Sequence, residues 1–246
     1  MGYGRFLGLR IKLNRDAGDE LELEIIKQWG MEVDMKILLI GASGAIGSRI
    51  LKEAAERGHE VTAVARHIET INESSGVQAV QADAKDTINL IKLASGQDAI
   101  VSSMSPRGEH GKEQYLTAIE SVLDTAKMCN TPYALFVGGT SNLITSNGRR
   151  ILEQLLEKIP ADQFMEPITV AEARVIIGRS KINWSFLCPG GTIEPGERTG
   201  KFRIGGENSF VDLGTPASIS MEDYAVAVVD ELKNPQHLRQ VFNVCY

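Results

Sequence analysis

Seven residues, "GASGAIG" from Gly41 to Gly47, restrict this chain more than any others. Before them runs a short apolar stretch with strand character, Lys36 to Ile40; after them apolar residues recur at helical spacing from Ala45 to Glu56. A strand that becomes a helix over so few residues needs backbone angles that a β-carbon forbids, and Gly41 can supply them. Gly44 lets an anion approach the main chain at a helix start, where free N–H groups and the positive end of the helix dipole gather. Gly47, one turn further, lets the helix press against the sheet. Three such glycines also suit a tight turn in any α/β protein. Here a further strand pattern from Glu60 completes a β-α-β unit, which makes the loop a dinucleotide-binding candidate with Ser43, Gly44, Ala45, Ile46 and Gly47 around the pyrophosphate.

The same alternation continues along the chain. Strand patterns fall at Lys36–Ile40, Glu60–Ala65, Val77–Gln81, Ala99–Ser102, Ala134–Val137 and Asn183–Leu187. Helical patterns fall between them at Ala45–Glu56, Thr87–Leu93, Lys112–Met128, Arg149–Lys158 and Ile168–Ser180. This order predicts an α/β fold: a doubly wound parallel sheet of Rossmann type between two helical layers. After Pro189 the rhythm gives way to glycine and charge, followed by a helix over Met221–Leu232 and a terminal strand in "QVFNVCY". Residues 35–246 are read as one domain, with a substrate-side segment at about 190–220. Residues 1–34 read as an extension. Basic residues Arg5, Arg10, Lys12 and Arg15 are followed at once by Asp16, Asp19, Glu20, Glu22 and Glu24, which disfavours a targeting arm. "DAGDELELEIIKQWG" has the pattern of a short amphipathic helix, and "MKILLIGASG" at Met35 looks like a natural start.

A formal net charge of −6 argues against general nucleic-acid binding, which rests on lysine and arginine displacing counterions. Cys129, Cys188 and Cys245 are odd in number and widely spaced, so they predict neither a disulfide framework nor a metal site; a reducing cytoplasm fits. No apolar run reaches the length of a membrane span. The expected partner is a small-molecule substrate, with no nucleic acid or membrane, and the expected assembly is a monomer or homodimer.

The G-x-x-G-x-x-G spacing within "MKILLIGASGAIG" resembles the short-chain dehydrogenase/reductase superfamily, in particular its atypical NmrA-like and flavin reductase/biliverdin reductase B-like members. The resemblance covers Met35 to Tyr246 and implies a nicotinamide cofactor. A carboxylate at the tip of the second strand would hold the ribose hydroxyls, whereas an arginine would pair with a 2′-phosphate. The tip of "EVTAVARHIE" is Arg66, followed by His67, so NADP(H) is expected, with Arg66 as the phosphate clamp. His67 is either a second contact or an exposed loop residue. The resemblance also implies that Asp83 and Ala84 hold the adenine, although Asp83 serves equally well as a cap of the following helix. It implies that Ser102 and Ser103 line the ribose side. By the same likeness, Gly138, Gly139 and Thr140 lie beneath the nicotinamide, and Pro189 and Gly190 hold its carboxamide through their backbones.

The superfamily's usual Y-x-x-x-K pair is absent, since none of Tyr3, Tyr115, Tyr133, Tyr224 and Tyr246 has a lysine four positions on. That pair places a lysine beside a tyrosine on one helical face and lowers the phenol's pKa for proton transfer. Without it, two readings remain ahead of a nucleotide-sugar epimerase. One is an NADP(H)-dependent reductase of a small conjugated acceptor such as a flavin or quinone; the other is a non-catalytic NADP(H)-sensing regulator. For the reductase, the candidate groups at the acceptor are Thr140, Ser141, Ser103 and Tyr115. Each has a structural alternative: Thr140 and Ser141 as turn residues, Tyr115 as core. The segment Thr192–Phe210 is either a lid whose Arg198, Lys201 and Arg203 attract an anionic acceptor, or a solvated hairpin balanced by Glu194, Glu197 and Glu207.

Overall fold

A computed structural model describes residues 2–6, 9–13, 32–107, 111–208, 210, 214 and 216–246. Strands β1 (Gly2–Phe6), β2 (Leu9–Leu13) and β3 (Glu32–Val33) form a small antiparallel sheet in the order β2-β1-β3, within the stretch read from sequence as an extension. The helical pattern at residues 16–30 lies outside the described residues.

The motif region forms as the alternation predicts. Strand β4 (Lys36–Ile40) enters helix α1 (Ala45–Glu56), which is followed by β5 (Glu60–Ala65) and β6 (Val77–Gln81). Helix α2 (Thr87–Ala94) leads to β7 (Ala99–Ser102), and α3 (Gly111–Met128) to β8 (Tyr133–Val137). Helices α4 (Ile151–Leu156) and α5 (Met165–Arg179) then precede β9 (Trp184–Pro189). The remaining elements are β10 (Thr192–Glu194), β11 (Arg203–Gly205), β12 (Ser218–Ser220), α6 (Met221–Lys233) and β13 (Gln240–Cys245). Several boundaries depart from the sequence pattern by one to three residues, two of them for identifiable reasons. Helix α5 starts three residues before Ile168 because Pro167 falls in its first turn, where a missing N–H costs nothing. Strand β9 runs on to Pro189 because that residue still pairs with Val244 of β13.

The main sheet has the order β11-β13-β9-β8-β7-β4-β5-β6. Its neighbours are parallel except at the β11 edge, where Arg203–Gly205 runs antiparallel to β13. Side chains alternate across each strand, so β4 feeds both faces. Ile37 and Leu39 pack with Ile50 and Leu51 of α1 and Tyr224 and Val228 of α6. Leu38 and Ile40 pack with Leu90 of α2, Ile119 and Val122 of α3, and Ala173 and Ile177 of α5. Each fully buried aliphatic side chain contributes about 1.5–3 kcal/mol. Tyr224 is wholly buried, and its hydroxyl donates to the Leu187 carbonyl at 2.6 Å, joining α6 to β9.

The order in which successive strands are added reverses between β4 and β7, opening a crevice at the carboxyl ends of those parallel strands. Among the described residues no helix is long and apolar enough to cross a membrane.

Candidate functional site

A cleft of about 580 Å³ lies along that carboxyl edge, within the size range of small-molecule sites. Its floor is the glycine loop. Gly41 takes φ +84°, and a β-carbon there would stand 2.6 Å from the Ser103 carbonyl oxygen. Its N–H and that of Ala42 both donate to the Val64 carbonyl, at 2.9 and 3.1 Å, which pulls the turn onto β5. Helix α1 begins at Gly44 with no side-chain cap and no acidic residue in its first turn. Its first amides are therefore left for an outside acceptor, with the helix dipole favouring an anion. Ser43, Gly44, Ala45 and Ile46 all line the cleft. Gly47, expected around the pyrophosphate and against the sheet, does not; it packs α1 onto the turn itself, where a β-carbon would meet the Gly41 carbonyl oxygen. The cradle thus suits a pyrophosphate on main-chain amides, which a side chain at Gly41 or Gly44 would crowd.

One end of the cleft is built by the tips of β5 and β6. Arg66 and His67 both line it, together with Asp83, Ala84 and Lys85. Arg66 is exposed and makes no ion pair with a described residue, while its carbonyl accepts from the Gln81 amide at 2.9 Å. Asp83 turns out not to cap helix α2. That role belongs to Asp86, which accepts the Asn89 N–H at 3.1 Å. Asp83 instead braces its own loop, accepting the Lys85 N–H at 2.9 Å while its other oxygen lies 3.6 Å from the Lys85 ammonium.

The other end is formed by β7, β8, β9 and the starts of α3 and α5. Gly138, Gly139, Thr140 and Pro189 line it. A β-carbon at Gly138 would strike the Phe186 ring at 2.4 Å, so only glycine lets β8 leave the sheet there. Ser103 lines the cleft with its hydroxyl buried and unpartnered. Tyr115 lines it too and is only 5% exposed. Burial raises the Tyr115 phenol well above its ordinary value, and the nearby Cys188 and Glu166 add to the effect, so it is a neutral hydroxyl. It is the reverse of a lysine-activated tyrosine.

Four expectations are corrected. Ser102 is 2% exposed within β7 and lies off the cleft, because alternation along the strand sends consecutive residues to opposite sides. Ser141 is likewise buried away from it, in the short turn Thr140–Asn142. Gly190 faces the sheet: its N–H donates to the Val244 carbonyl at 2.8 Å. Thr140 reaches the cleft, but its hydroxyl is committed to the Pro189 and Gly191 carbonyls at 3.0 and 2.9 Å, leaving no proton for an acceptor.

The basic lid is the larger correction. Arg198 grips Glu53 of α1 with two hydrogen bonds of 2.7 and 2.8 Å. Arg203 donates to the Tyr246 carbonyl and stacks over Phe210, with 4.6 Å to the ring centre. Neither they nor Lys201 lines the cleft, and of the described residues from Thr192 to Phe210 only Ile193 does. The segment is strapped instead to the start of α6, where Asp223 accepts the N–H groups of Thr199 and Gly200 at 2.8 and 2.7 Å.

Sequence reasoning missed the rim. The loop after β7 supplies Met104, Ser105, Pro106 and Arg107, and Arg107 meets Glu166 of α5 at 3.2 Å. The rule that ligands sit beyond the carboxyl ends of strands pointed at this loop, but nothing local marks its partner on α5. Among the described residues there is no cluster of metal-ligating side chains.

Comparison with known proteins agrees with this architecture. A family described as NAD(P)H-binding matches residues 41–235. The uncharacterized protein YwnB of Bacillus subtilis is 34% identical over 215 residues, covering 85% of this chain and 98% of YwnB. A Bacteroides thetaiotaomicron structure, provisionally described as an epimerase, matches with a TM-score of 0.78 at 32% identity over 87% of this chain and 97% of its own. A Streptococcus pneumoniae structure, provisionally described as an NADH-flavin reductase, gives 0.71 at 26% identity over 85% and 98%.

Proposed function

Because the chain belongs to the NAD(P)H-binding family, we propose that it is an NADP(H)-dependent reductase of a small conjugated acceptor. One observation carries the choice of cofactor. The cleft that runs from the uncapped start of α1 ends at Arg66 and His67, with an unpaired guanidinium where a carboxylate would be needed to favour NAD(H). A 2′-phosphate would pair with Arg66.

When bound, the cofactor supplies a hydride. The residues divide the remaining work. The amides of Ser43, Ala45 and Ile46 would hold the pyrophosphate, Gly44 already donating its own N–H to the Gly41 carbonyl at 3.1 Å, and Asp83 with Ala84 would border the adenine. Gly138 and Gly139 leave room beneath the nicotinamide, and Val137, Val170, Ile193 and Met221 wall the acceptor end with apolar surface that keeps water away. The reductase described from Streptococcus pneumoniae supports the reaction class. The epimerase description of the Bacteroides thetaiotaomicron protein is the weaker guide, because this chain has no Tyr-Lys pair to recycle a bound cofactor.

The experiment is a fluorescence titration of the full chain with NADPH and NADH, followed by cofactor consumption with FMN and menadione. Tighter binding of NADPH and its oxidation by an acceptor are expected. Tighter NADH binding overturns the cofactor choice. Binding without oxidation across acceptors turns the protein into a sensor.

A further inference from the structure

The cleft holds two buried hydroxyls that the cofactor reading leaves unused. Helix α3 presents Gly111, Gln114, Tyr115 and Ala118 to it, which is one face at i, i+3, i+4 and i+7. Gly111 sets the approach: a β-carbon there would stand 2.4 Å from the Pro106 carbonyl oxygen, so glycine lets the start of α3 close onto the loop after β7. Tyr115 is thereby sunk to 5% exposure, with Cys188 of β9 and Glu166 of α5 as its charged or polarisable neighbours. These place its hydroxyl at the nicotinamide end. Of the two, the Ser103 hydroxyl is buried and without a hydrogen-bond partner among the described residues, and Tyr115 lines the same cleft. A buried hydroxyl left unsatisfied is costly, so Ser103, with Tyr115 on the same cleft, marks the place of an oxygen atom supplied from outside.

We propose that Tyr115 is the proton donor of this reductase and that its acceptor is a neutral conjugated carbonyl compound, an enone or quinone. The assignment rests on the reductase reading above. Several other groups in the cleft are engaged or stand apart. Thr140 spends its hydroxyl on two carbonyls, Glu166 is paired with Arg107, and His67 and Lys85 stand at the opposite end. Apolar walls at Met104, Val137, Val170 and Met221 suit a flat uncharged molecule better than a charged one. In the step itself, hydride from the cofactor forms a C–H bond at the electrophilic carbon of an enone. The displaced π electrons collect on the carbonyl oxygen. The Tyr115 O–H bond then breaks, its proton joins that oxygen, and the phenolate takes a proton from solvent. For a quinone the same two transfers yield the hydroquinone. Ser103 would donate a second hydrogen bond to the developing oxyanion, a preorganised charge-stabilising role.

The test compares wild type with Tyr115→Phe, which keeps the buried ring, using cinnamaldehyde and 9,10-phenanthrenequinone as carbonyl probes and FMN, which takes hydride at a ring nitrogen, as the control. NADPH affinity in Y115F should stay within about twofold, while kcat with the carbonyl probes falls by about 10²-fold or more and their solvent deuterium isotope effect disappears. FMN reduction should change far less. Ser103→Ala should lower carbonyl turnover by a smaller factor and keep the isotope effect. A Y115F enzyme that keeps more than half of the carbonyl rate, or a wild type that oxidises NADPH with FMN and with neither carbonyl probe, overturns the proposal. Loss of NADPH binding in wild type would instead overturn the cofactor reading beneath it.

Discussion

The β-carbon that Gly47 lacks would stand 2.1 Å from the carbonyl oxygen of Gly41. Helix α1 and the turn that feeds it are in main-chain contact there, and both sides are backbone, so neither can give way by a side-chain rotation. Gly47→Ala should therefore push α1 off the turn, at a cost of about 1–3 kcal/mol or more, typical of overpacking. Chemical denaturation should show the loss. Titration with NADPH should show weakened binding as well, because the amides of the first turn move with the helix.

Arg66 stands at the tip of β5, where a 2′-phosphate would lie. A charge-assisted hydrogen bond of about 1.5–3 kcal/mol corresponds to roughly 10–100-fold in affinity. Arg66→Ala should weaken NADPH by about that factor and NADH by little, with stability unchanged because the side chain is exposed. Equal weakening of both dinucleotides would remove the clamp assignment.

Glu53 sits in α1 with its side chain 5% exposed, between Arg57 at 2.6 Å and Arg198 at 2.7 Å. Burial alone would raise its carboxyl, but hydrogen bonds and charge from Arg198 and Arg57 outweigh that and hold it below the ordinary value of 4.5. A carboxyl that binds its proton more weakly folded than unfolded stabilises the fold at pH values above the unfolded pKa. That contribution drains away as pH falls through the lower folded value. Glu53→Gln should cost about 3 kcal/mol at neutral pH, in keeping with a broken buried pair. The gap between variant and wild type should narrow on acidification below pH 4.5, which thermal melts across that range would reveal.

Thr140 ties the exits of β8 and β9 together through the Pro189 and Gly191 carbonyls. Thr140→Val should lose about 1–2 kcal/mol, since both carbonyls lose their donor while the volume is kept. Thr140→Ser should restore most of it. If the hydroxyl acted on the acceptor instead, the valine variant would lose turnover with its melting temperature unchanged.

The glycine turn and the strand-end arginine were legible because their constraints are short-range. Gly41, Gly44 and Gly47 lie within one turn and one helix start, and Arg66 follows directly from where β5 ends. The rest of the cleft was not. Ser102 and Ser103 are adjacent in sequence, yet pleating puts one in the sheet and the other on the cleft. Arg198 looked like a lid residue from its glycine-rich surroundings. Its partner Glu53 is 145 residues away, and nothing in either neighbourhood announces the other. Gly190 and Gly138 both follow strand ends, but one is turned to β13 and the other opens the cleft.

By itself, the order of residues determined the strand and helix alternation, the parallel sheet and the anion cradle, because backbone sterics and apolar periodicity act between neighbours along the chain. Only the packed structure decided that Tyr115 lines the cleft, that Thr140 spends its hydroxyl on two carbonyls and that the charged segment after Pro189 braces α6. Those outcomes depend on which surfaces meet once the helices are laid on the sheet, and burial and pairing at that distance are properties of the assembled core.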